Sequence, residues 1–309
     1  MKNFILWRLV QFPIILAIIY VVTFVMIWVV PGSPFEGERN IDPAKVQAMK
    51  ERFHADNWYT FLGYYPLRII TAGDFGPSMH NKEFSVNEIL ASRFPVSVQL
   101  GFAALGIAVV VGMLVGTVSA VKRDGILDWA GMSITLIGIS VPAFVTAAVF
   151  LLVFVAQLGW FTIGRWERLE DMVLPAIALS LMPMAYIVRL QRVSMLDVLG
   201  ADYVRTARAK GLSKWRVVIK HCLRNAFLPV FSYLGPAAAV ALTGSFVVER
   251  VFSIPGMGQM FVDSITNRDQ TLILAMVMVY SALVLSFNLL IDIGYCFIDP
   301  RIDVTARAT

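Results

Sequence analysis

Charge is scarce in this sequence. Only 15% of its 309 residues are charged, whereas a soluble domain of ordinary composition carries roughly 25%. The mean hydropathy is correspondingly high, at +0.72. Uninterrupted apolar runs recur along the chain, several of them long enough for the helix of about 20 residues that crosses a bilayer. Because these runs are continuous rather than alternating, the sequence predicts an all-α membrane protein and excludes an ordinary soluble domain.

Cysteine and histidine are also rare, and a phosphate-binding motif is missing. The two cysteines, Cys222 and Cys296, both fall on the side assigned below to the cytoplasm, so we predict no disulfide. The three histidines lie far apart without metal-ligand spacing. The sequence contains no G-x-x-x-x-G-K-[ST] loop, which would cradle nucleotide phosphates. We therefore predict a chain with no metal, cofactor or ATPase activity of its own.

Six apolar runs predict six transmembrane helices, at residues 9–30, 99–121, 133–158, 172–190, 228–248 and 272–298. The short connections on one side of these spans carry fifteen Lys and Arg residues, and those on the other side carry four. Long loops are left out of this comparison because they cross membranes largely regardless of charge. The asymmetry places both termini in the cytoplasm. The formal net charge of +5 thus indicates membrane topology rather than nucleic-acid binding.

The same runs divide the chain into four parts. Residues 1–31 are predicted to form an N-terminal transmembrane helix, and residues 32–93 a polar segment outside the cytoplasm with two short helices. One of these helices begins at Asp42-Pro43, and the other runs from Trp58 to Ile70. Residues 94–298 form a five-helix core with a basic loop at 191–226, followed by a cytoplasmic tail at 299–309. On the second span, Gly112 and Gly116 predict close approach of a neighbouring helix.

The basic loop contains the stretch RTARAKGLSKW, residues 205–215. Asp202 is a candidate N-cap and Gly211 a candidate C′ residue, which predicts an eight-residue helix over 203–210. At 100° per residue, one face of this helix carries Tyr203, Val204, Ala207 and Gly211, with Arg205 and Arg208 beside it. Such a face suits docking of a soluble partner. Topogenic charge and contact with anionic membrane lipids are alternatives that this pattern leaves open.

Several motifs resemble the inner-membrane permease subunits of ATP-binding-cassette (ABC) importers. The signature Glu-Ala-Ala, three residues, Gly of that family corresponds here to RTARAKG, with Arg205 in place of Glu and Thr206 in place of the first Ala. Within that family, the branch of peptide and nickel permeases resembles this sequence more closely than the general signature does, especially the B-type oligopeptide permeases. Its motifs resemble PGSPFEGER, GDFGPS, FPVSVQLG, DYVRTARAKGLS, VFSIPGMGQ and the terminal IDPR, in this order along essentially the whole chain.

The resemblance implies a type I ABC importer permease fold, located in a bacterial inner membrane, and a function in ATP-driven import of oligopeptides. It implies that the helix at 202–212 couples to an ATPase subunit. The implied partners are a second homologous permease, two ATPases that bind ATP and Mg²⁺, and a periplasmic or lipid-anchored substrate-binding protein. The expected coupling residues are Asp202, Tyr203, Val204, Arg205, Thr206, Ala207, Arg208 and Gly211.

Two further sets of residues are expected to serve the transport path. Polar or helix-kinking positions inside apolar spans are candidates for lining the path, although ordinary helix packing explains each of them equally well. They are Ser140, Pro142, Ser180, Pro183, Ser232, Tyr233, Pro236 and Thr243. The segment ERVFSIPGMGQ, residues 249–259, is expected to form a turn and helix near the outer gate. Its candidate residues are Glu249, Pro255, Gly256 and Gly258.

Other function classes fit the sequence less well. An ion-coupled secondary carrier is expected to bury more charge than Asp292, the clearest ionisable residue within a span, and to show an inverted repeat. An intramembrane serine protease based on Ser245 lacks a histidine in the same layer, because His221 lies in the basic loop. Within the importer class, dipeptides, nickel or another small solute remain alternatives to oligopeptides, since the sequence alone does not select among them.

Overall fold

The computed structural model describes residues 2–29, 57–80, 84–243 and 245–298. Over these ranges the chain is helical apart from turns, loops and one isolated antiparallel bridge between Pro77 and Ser85. Predictions that concern residues 30–56 and 299–309, including the helix at Asp42-Pro43 and the C-terminal tail, lie outside the described residues.

Twelve α-helices are assigned in the described ranges, two of them continued by π-helical turns. They are α1 (Lys2–Val29), α2 (Trp58–Ala72), α3 (Val86–Val121), α4 (Ile126–Ser140), α5 (Ala143–Phe150, continued by π-helix Leu151–Gln157), α6 (Leu169–Leu199), α7 (Asp202–Ala209), α8 (Lys214–Val217, continued by π-helix Val218–Cys222), α9 (Leu223–Thr243), α10 (Ser245–Phe252), α11 (Met257–Thr266) and α12 (Gln270–Ile298).

Five helical segments in the described part of the chain are long and apolar enough to cross a membrane, and a bent pair of helices supplies a sixth if it counts as one span. The five are α1, α3, α6, the helices between Lys214 and Phe252, and α12. The pair consists of α4 and α5, whose axes differ by 103°. The predicted all-α polytopic architecture is thus confirmed, whereas the third predicted span, 133–158, is not one continuous helix.

Proline explains where that span breaks. Val141 has extended backbone angles, φ −99° and ψ 118°, and Pro142 precedes the first residue of α5. A proline ring disfavours helical angles in the residue before it, and proline has no N–H for the preceding turn. The apolar run in the sequence continues across this point, so hydropathy alone predicted a single helix.

Other spans are longer than predicted, α3 and α6 among them. Helix α3 begins at Val86 rather than near residue 99, because Ser85 and Glu88 form a capping box: the Ser85 N–H donates to Glu88 Oε2 at 2.8 Å and the Glu88 N–H to Ser85 Oγ at 3.3 Å. Helix α6 continues past residue 190 to Leu199. Its extra turns carry Met195, which is fully buried in an apolar cluster with residues of the basic loop.

The chain divides into two compact units. Among the described residues, the first unit comprises 98–243, 245–254 and 286–298, and α6 lies at its centre, packed against α4, α5 and α9. Glycines bring the backbones close, as predicted for the second span. A Cβ atom added to Gly112 would lie 2.7 Å from Ile187 Cγ2, and one added to Gly116 would lie 2.7 Å from the Val188 carbonyl oxygen.

Among the described residues, the second unit comprises 2–29, 57–80, 84–97 and 255–285. Its core is an aromatic cluster in which Tyr20 and Phe24 of α1 pack against Phe61 and Tyr65 of α2, together with Leu274 of α12. Two buried tyrosine hydroxyls find backbone partners. Tyr20 donates to the Leu62 carbonyl at 3.1 Å, and Tyr65 donates to the Thr271 carbonyl at 2.9 Å. These bonds hold α1 and α12 against α2. Helix α2 confirms the short helix that the sequence predicted at Trp58.

Candidate functional site

Helix α7 is the short helix that the basic loop was predicted to form. It spans the eight residues Asp202–Ala209, about 12 Å of helix, and an isolated helix of this length is unstable in water. Its first hydrogen bonds run from the Val204 and Arg205 amides to the Ala201 carbonyl, at 3.0 and 3.2 Å. Ala201 is therefore the N-cap, and the prediction that Asp202 caps the helix was wrong. Asp202 lies in the first turn, where its charge suits the helix dipole.

The C-terminal end of α7 is a Schellman motif. The Gly211 amide donates to the Arg208 carbonyl at 2.9 Å, and the Leu212 amide donates to the Ala207 carbonyl at 3.3 Å. Gly211 has φ +80°, a conformation that side chains other than those of glycine and asparagine rarely adopt. The predicted C′ role of Gly211 is thus confirmed. Leu212 packs against the apolar cluster beneath the helix, which fixes the direction in which the chain leaves.

The underside of α7 is buried in its own chain. Val204 is 0% and Ala207 is 7% exposed, and both belong to an apolar cluster with Met195 of α6 and with Val217 and Cys222. The Tyr203 hydroxyl accepts a 2.8 Å hydrogen bond from Asn225 Nδ2 near the start of α9. The prediction that Val204 and Ala207 belong to an exposed docking face was wrong. The helical periodicity was right, but the apolar face packs on this chain's own helices.

The exposed face of α7 is basic. Arg205, Thr206, Arg208 and Gly211 are all exposed, as is Lys210 at the C-cap. Arg205 lies 3.7 Å from the Asp202 carboxylate, but their side chains are 75% and 97% exposed, so water and salt weaken this pair. The Thr206 hydroxyl donates to the Asp202 carbonyl at 3.0 Å. The helix therefore presents a positively charged surface on an apolar base that the chain supplies itself.

The candidate path residues divide into exposed and buried groups. Ser232, Pro236 and Thr243 are exposed and share one face of α9, because they are four and seven residues apart. Tyr233 is half-buried, with its ring centroid 5.6 Å from that of Tyr186. Ser232 and Thr243 donate to carbonyl oxygens of their own helix, those of Leu228 and Ala239, at 3.3 and 2.7 Å.

The other four candidates lie on α6 and at the bend between α4 and α5. Ser140 and Pro142 are exposed at the bend between α4 and α5. Ser180 is fully buried and donates to the Ile177 carbonyl at 2.8 Å, and Pro183 is also buried. The expectation that Ser180 and Pro183 line a path is therefore contradicted by this structure. Both lie on the side of the central helix α6 that packs against its neighbours in the same unit.

The candidate gate residues are distributed over the two units. In the first unit, Glu249 is fully buried on α10, and its carbonyl accepts the Ile254 amide at 2.9 Å after Ser253 turns the chain at φ +54°. In the second unit, Pro255 and Gly256 lead into α11, of which Gly258 is the second residue. The Met257 amide donates to Ser97 Oγ at 2.8 Å. The predicted turn followed by a helix is confirmed, and its gating role stays a prediction.

The predictions missed two buried carboxylates. Asp128 on α4 forms a bidentate ion pair with Arg192 on α6, at 2.6 and 2.7 Å. Asp269, 1% exposed, accepts from Ser78 Oγ and from the amides of Met79, His80 and Leu272. Both arrangements join residues far apart in sequence, so no local pattern reveals them. The one available signal was an acidic residue at or just before the first turn of a helix.

A third carboxylate lies outside the spanning helices. Asp74 follows α2 and accepts hydrogen bonds from Arg68 Nε at 3.0 Å and from the Gly76 amide at 2.8 Å. The Arg68 guanidinium, and secondly the Gly76 N–H, hold the pKa of the Asp74 carboxyl below its usual value. Asp74, Gly76 and Ser78 all belong to the predicted motif GDFGPS. In the structure this motif closes α2 and leads to the Asp269 carboxylate.

Comparison with known proteins places this architecture in a family. Residues 94–304 match the family model described as "binding-protein-dependent transport system inner membrane component". The chain is 44% identical over 285 residues to the dipeptide transport system permease protein DppB of Bacillus subtilis, covering 92% of each chain. It is 40% identical over 304 residues to the oligopeptide transport system permease protein OppB of Escherichia coli, covering 98% of this chain and 99% of the relative.

A solved structure shares the fold. It shows inward-facing conformations of the MetNI methionine ABC transporter, with a TM-score of 0.52 at 17% sequence identity, and the match covers 69% of this chain and 95% of that one. The structural likeness confirms the predicted permease fold, and the sequence matches confirm the resemblance that the motifs indicated. The chain therefore belongs to the family of inner-membrane components of binding-protein-dependent ABC transport systems.

Proposed function

We propose that this chain is one of two permease subunits of an ATP-driven importer that carries peptides across a bacterial inner membrane. The observation that carries the proposal is the near full-length similarity, at 40–44% identity, to permeases named for oligopeptide and dipeptide transport. Both names refer to peptides, so peptide is the substrate class that these relatives share. Among peptides, the motifs described above favour oligopeptides, with dipeptides as the alternative.

We propose an orientation with both termini and the basic loop in the cytoplasm. The excess of Lys and Arg in the short connections on that side supports it. In this orientation the exposed basic face of α7 points toward soluble cytoplasmic proteins. Residues 57–80, with α2 and the motif GDFGPS, lie on the periplasmic side, where a substrate-binding protein delivers its cargo.

Coupling to ATP is assigned to α7. Its exposed residues, among them Arg205, Arg208 and Gly211, contact an ATPase subunit, and its buried residues Val204 and Ala207 hold it against α6 and the start of α9. A movement of the ATPase on binding ATP and Mg²⁺ would therefore displace these helices rather than only the loop. The energy of ATP acts by favouring one of two conformations, through contacts that differ between them.

The translocation path is assigned to the exposed face of α9 and to the bend between α4 and α5. Ser232, Pro236, Thr243, Ser140 and Pro142 are exposed in this subunit, as surfaces must be if a second, homologous permease completes the path. Two ATPases and a periplasmic or lipid-anchored binding protein complete the complex. The turn at Glu249–Gln259 is proposed to act near the outer gate.

The decisive experiment reconstitutes the complete complex in liposomes and supplies its binding protein with a mixed peptide library. ATP hydrolysis stimulated by peptides, with peptides accumulating in the lumen by mass spectrometry, is the expected result and gives the accepted length range. Stimulation by nickel or another small solute, with no peptide in the lumen, would keep the fold and overturn the substrate. Uptake by this chain without ATPases would overturn the coupling role of α7.

A further inference from the structure

The ion pair between Asp128 and Arg192 joins two helices of the first unit through two hydrogen bonds. Arg192 Nε lies 2.6 Å from Asp128 Oδ1, and its terminal Nη2 lies 2.7 Å from Oδ2. The side chains are 6% and 21% exposed. Asp128 Oδ2 also accepts the Asp124 amide at 3.0 Å. One carboxylate thus joins the turn after α3, the first turn of α4 and the helix α6.

The helices around this ion pair are packed backbone against backbone. Gln191, next to Arg192 on α6, is fully buried and donates to Thr117 Oγ1 of α3 at 3.1 Å. Further along α4, a Cβ atom added to Gly138 would lie 2.9 Å from the Leu181 carbonyl oxygen of α6. At this point the backbones of α4 and α6 are therefore too close to admit a larger side chain between them. The ion pair and the close contact at Gly138 therefore join α4 and α6 at two points into one packed block.

This block connects the two places that the proposed mechanism needs. Arg192 lies seven residues before the end of α6, about 10 Å along the helix, and Met195 between them packs against Val204 of α7. Asp128 lies twelve residues before Ser140, about 18 Å along α4, where the 103° bend into α5 begins. A displacement of α7 can reach the bend through α6 and α4 only if these two helices move together.

We propose that Asp128 and Arg192 are positioning residues that make α4 follow α6, so that movement of α7 on the ATPase is transmitted to the bend at Ser140–Pro142. The inference rests on the proposed function. Arginine suits this role because its planar guanidinium holds both carboxylate oxygens at once, which fixes the angle between the two helices as well as their distance. A lysine keeps the charge but makes only a point contact.

The test uses the complete reconstituted complex and measures peptides imported per ATP hydrolysed. The variants are Asp128→Asn, Arg192→Gln, the double variant and Arg192→Lys. The matched control is Arg123→Gln, because Arg123 forms an exposed ion pair of 3.5 Å with Asp124 at the same turn. We expect at least a tenfold loss of peptides per ATP in Asp128→Asn and in Arg192→Gln, and no further loss in the double variant. We expect an intermediate loss for Arg192→Lys and no change for Arg123→Gln.

The ratio separates this role from a merely structural one. A variant that only destabilises the subunit lowers ATP hydrolysis and uptake together, because fewer complexes assemble, and leaves their ratio unchanged. An assembled Asp128→Asn or Arg192→Lys complex with the wild-type ratio would overturn the inference. If a variant fails to assemble, Arg192→Lys, which preserves the buried charge balance, decides the question. Absence of peptide uptake by the wild-type complex itself would instead overturn the proposed function.

Discussion

The Met257 amide donates a 2.8 Å hydrogen bond to the hydroxyl of Ser97, and both residues are buried, at 0% and 1% exposure. Ser97 lies in the motif FPVSVQLG and Met257 in the motif VFSIPGMGQ, which are 160 residues apart. Met257 is the first residue of α11, so its amide has no acceptor within that helix. Two motifs that predicted the family separately thus meet at a helix N-terminus within one unit.

Replacing Ser97 with alanine is expected to destabilise that unit. The buried Met257 N–H would lose its acceptor, and an unsatisfied buried donor costs about 1–3 kcal/mol. The expected result is a lower thermal unfolding midpoint of the purified complex, measured beside Ser92→Ala. Ser92 is exposed on the same helix and donates only to the Ile89 carbonyl, so its loss should change little. Equal midpoints for the two variants would contradict the assignment.

The carboxylate of Asp269 holds residues 78–80 in place through hydrogen bonds. Its oxygens accept the amides of Met79 at 3.1 Å, His80 at 3.3 Å and Leu272 at 3.1 Å. Asp269→Asn replaces one acceptor oxygen by an NH₂ donor that faces other donors. We expect hydrogen exchange at these three amides to accelerate about tenfold, which corresponds to about 1.4 kcal/mol of local stability. Mass spectrometry of the exchanged peptides should show no change for Asp202→Asn, whose carboxylate is exposed.

The pair of Asp74 and Arg68 predicts a pH dependence in acid. The pKa of Asp74 is lowered in the folded state by Arg68 and the Gly76 amide, so its ionised form stabilises the fold above its unfolded value of about 3.9. That contribution is lost as the pH falls through the lowered folded pKa. Unfolding midpoints of wild type and Asp74→Asn should therefore differ at pH 5, begin to approach each other near pH 4, and converge only below the lowered folded pKa. A difference that persists at the lowest pH would refute this origin.

Particular residues show how much of this molecule its sequence determines. Hydropathy located every spanning run, and the chemistry of glycine predicted both the end of α7 at Gly211 and the close packing at Gly112. Local patterns also indicate the bend at Pro142 and the capping box at Ser85, although hydropathy alone shows neither. The buried underside of α7 could not be predicted, because periodicity finds an apolar face without identifying what covers it. The contacts of Asp128 and Asp269 depend on tertiary packing alone.

The effect of substitutions at Gly211 is expected to depend on backbone conformation rather than on the space available for a side chain. Its φ is +80°, and an added Cβ atom would meet nothing within 4 Å. Asparagine tolerates this region, whereas a β-branched residue is strongly disfavoured there. Gly211→Asn is therefore expected to retain most ATP-driven uptake and Gly211→Val to lose most of it, in complexes present at equal amounts in the membrane. Equal uptake by the two variants would show that the left-handed turn is unimportant for coupling.

The two faces of α7 predict opposite effects of mutation. Val204→Ala removes buried methyl groups from the underside, which should lower the free energy of unfolding by about 2 kcal/mol. Once folded, this variant keeps the basic surface, so peptides imported per ATP should stay at the wild-type value. Arg208→Glu reverses an exposed charge, which typically changes stability by no more than about 0.5 kcal/mol, but it places a repulsive or unpaired group on the proposed ATPase contact.

Arg208→Glu is therefore expected to leave the unfolding midpoint unchanged and to weaken retention of the ATPases during purification, more strongly at low salt, where charge contacts contribute most. Lys220→Glu is the matched control, because Lys220 is an exposed basic residue outside α7. If Lys220→Glu releases the ATPases equally, the effect comes from net charge rather than from α7. If Arg208→Glu retains them at every salt concentration, the exposed face of α7 is not the contact, and the buried residues beneath it serve only the fold of this subunit.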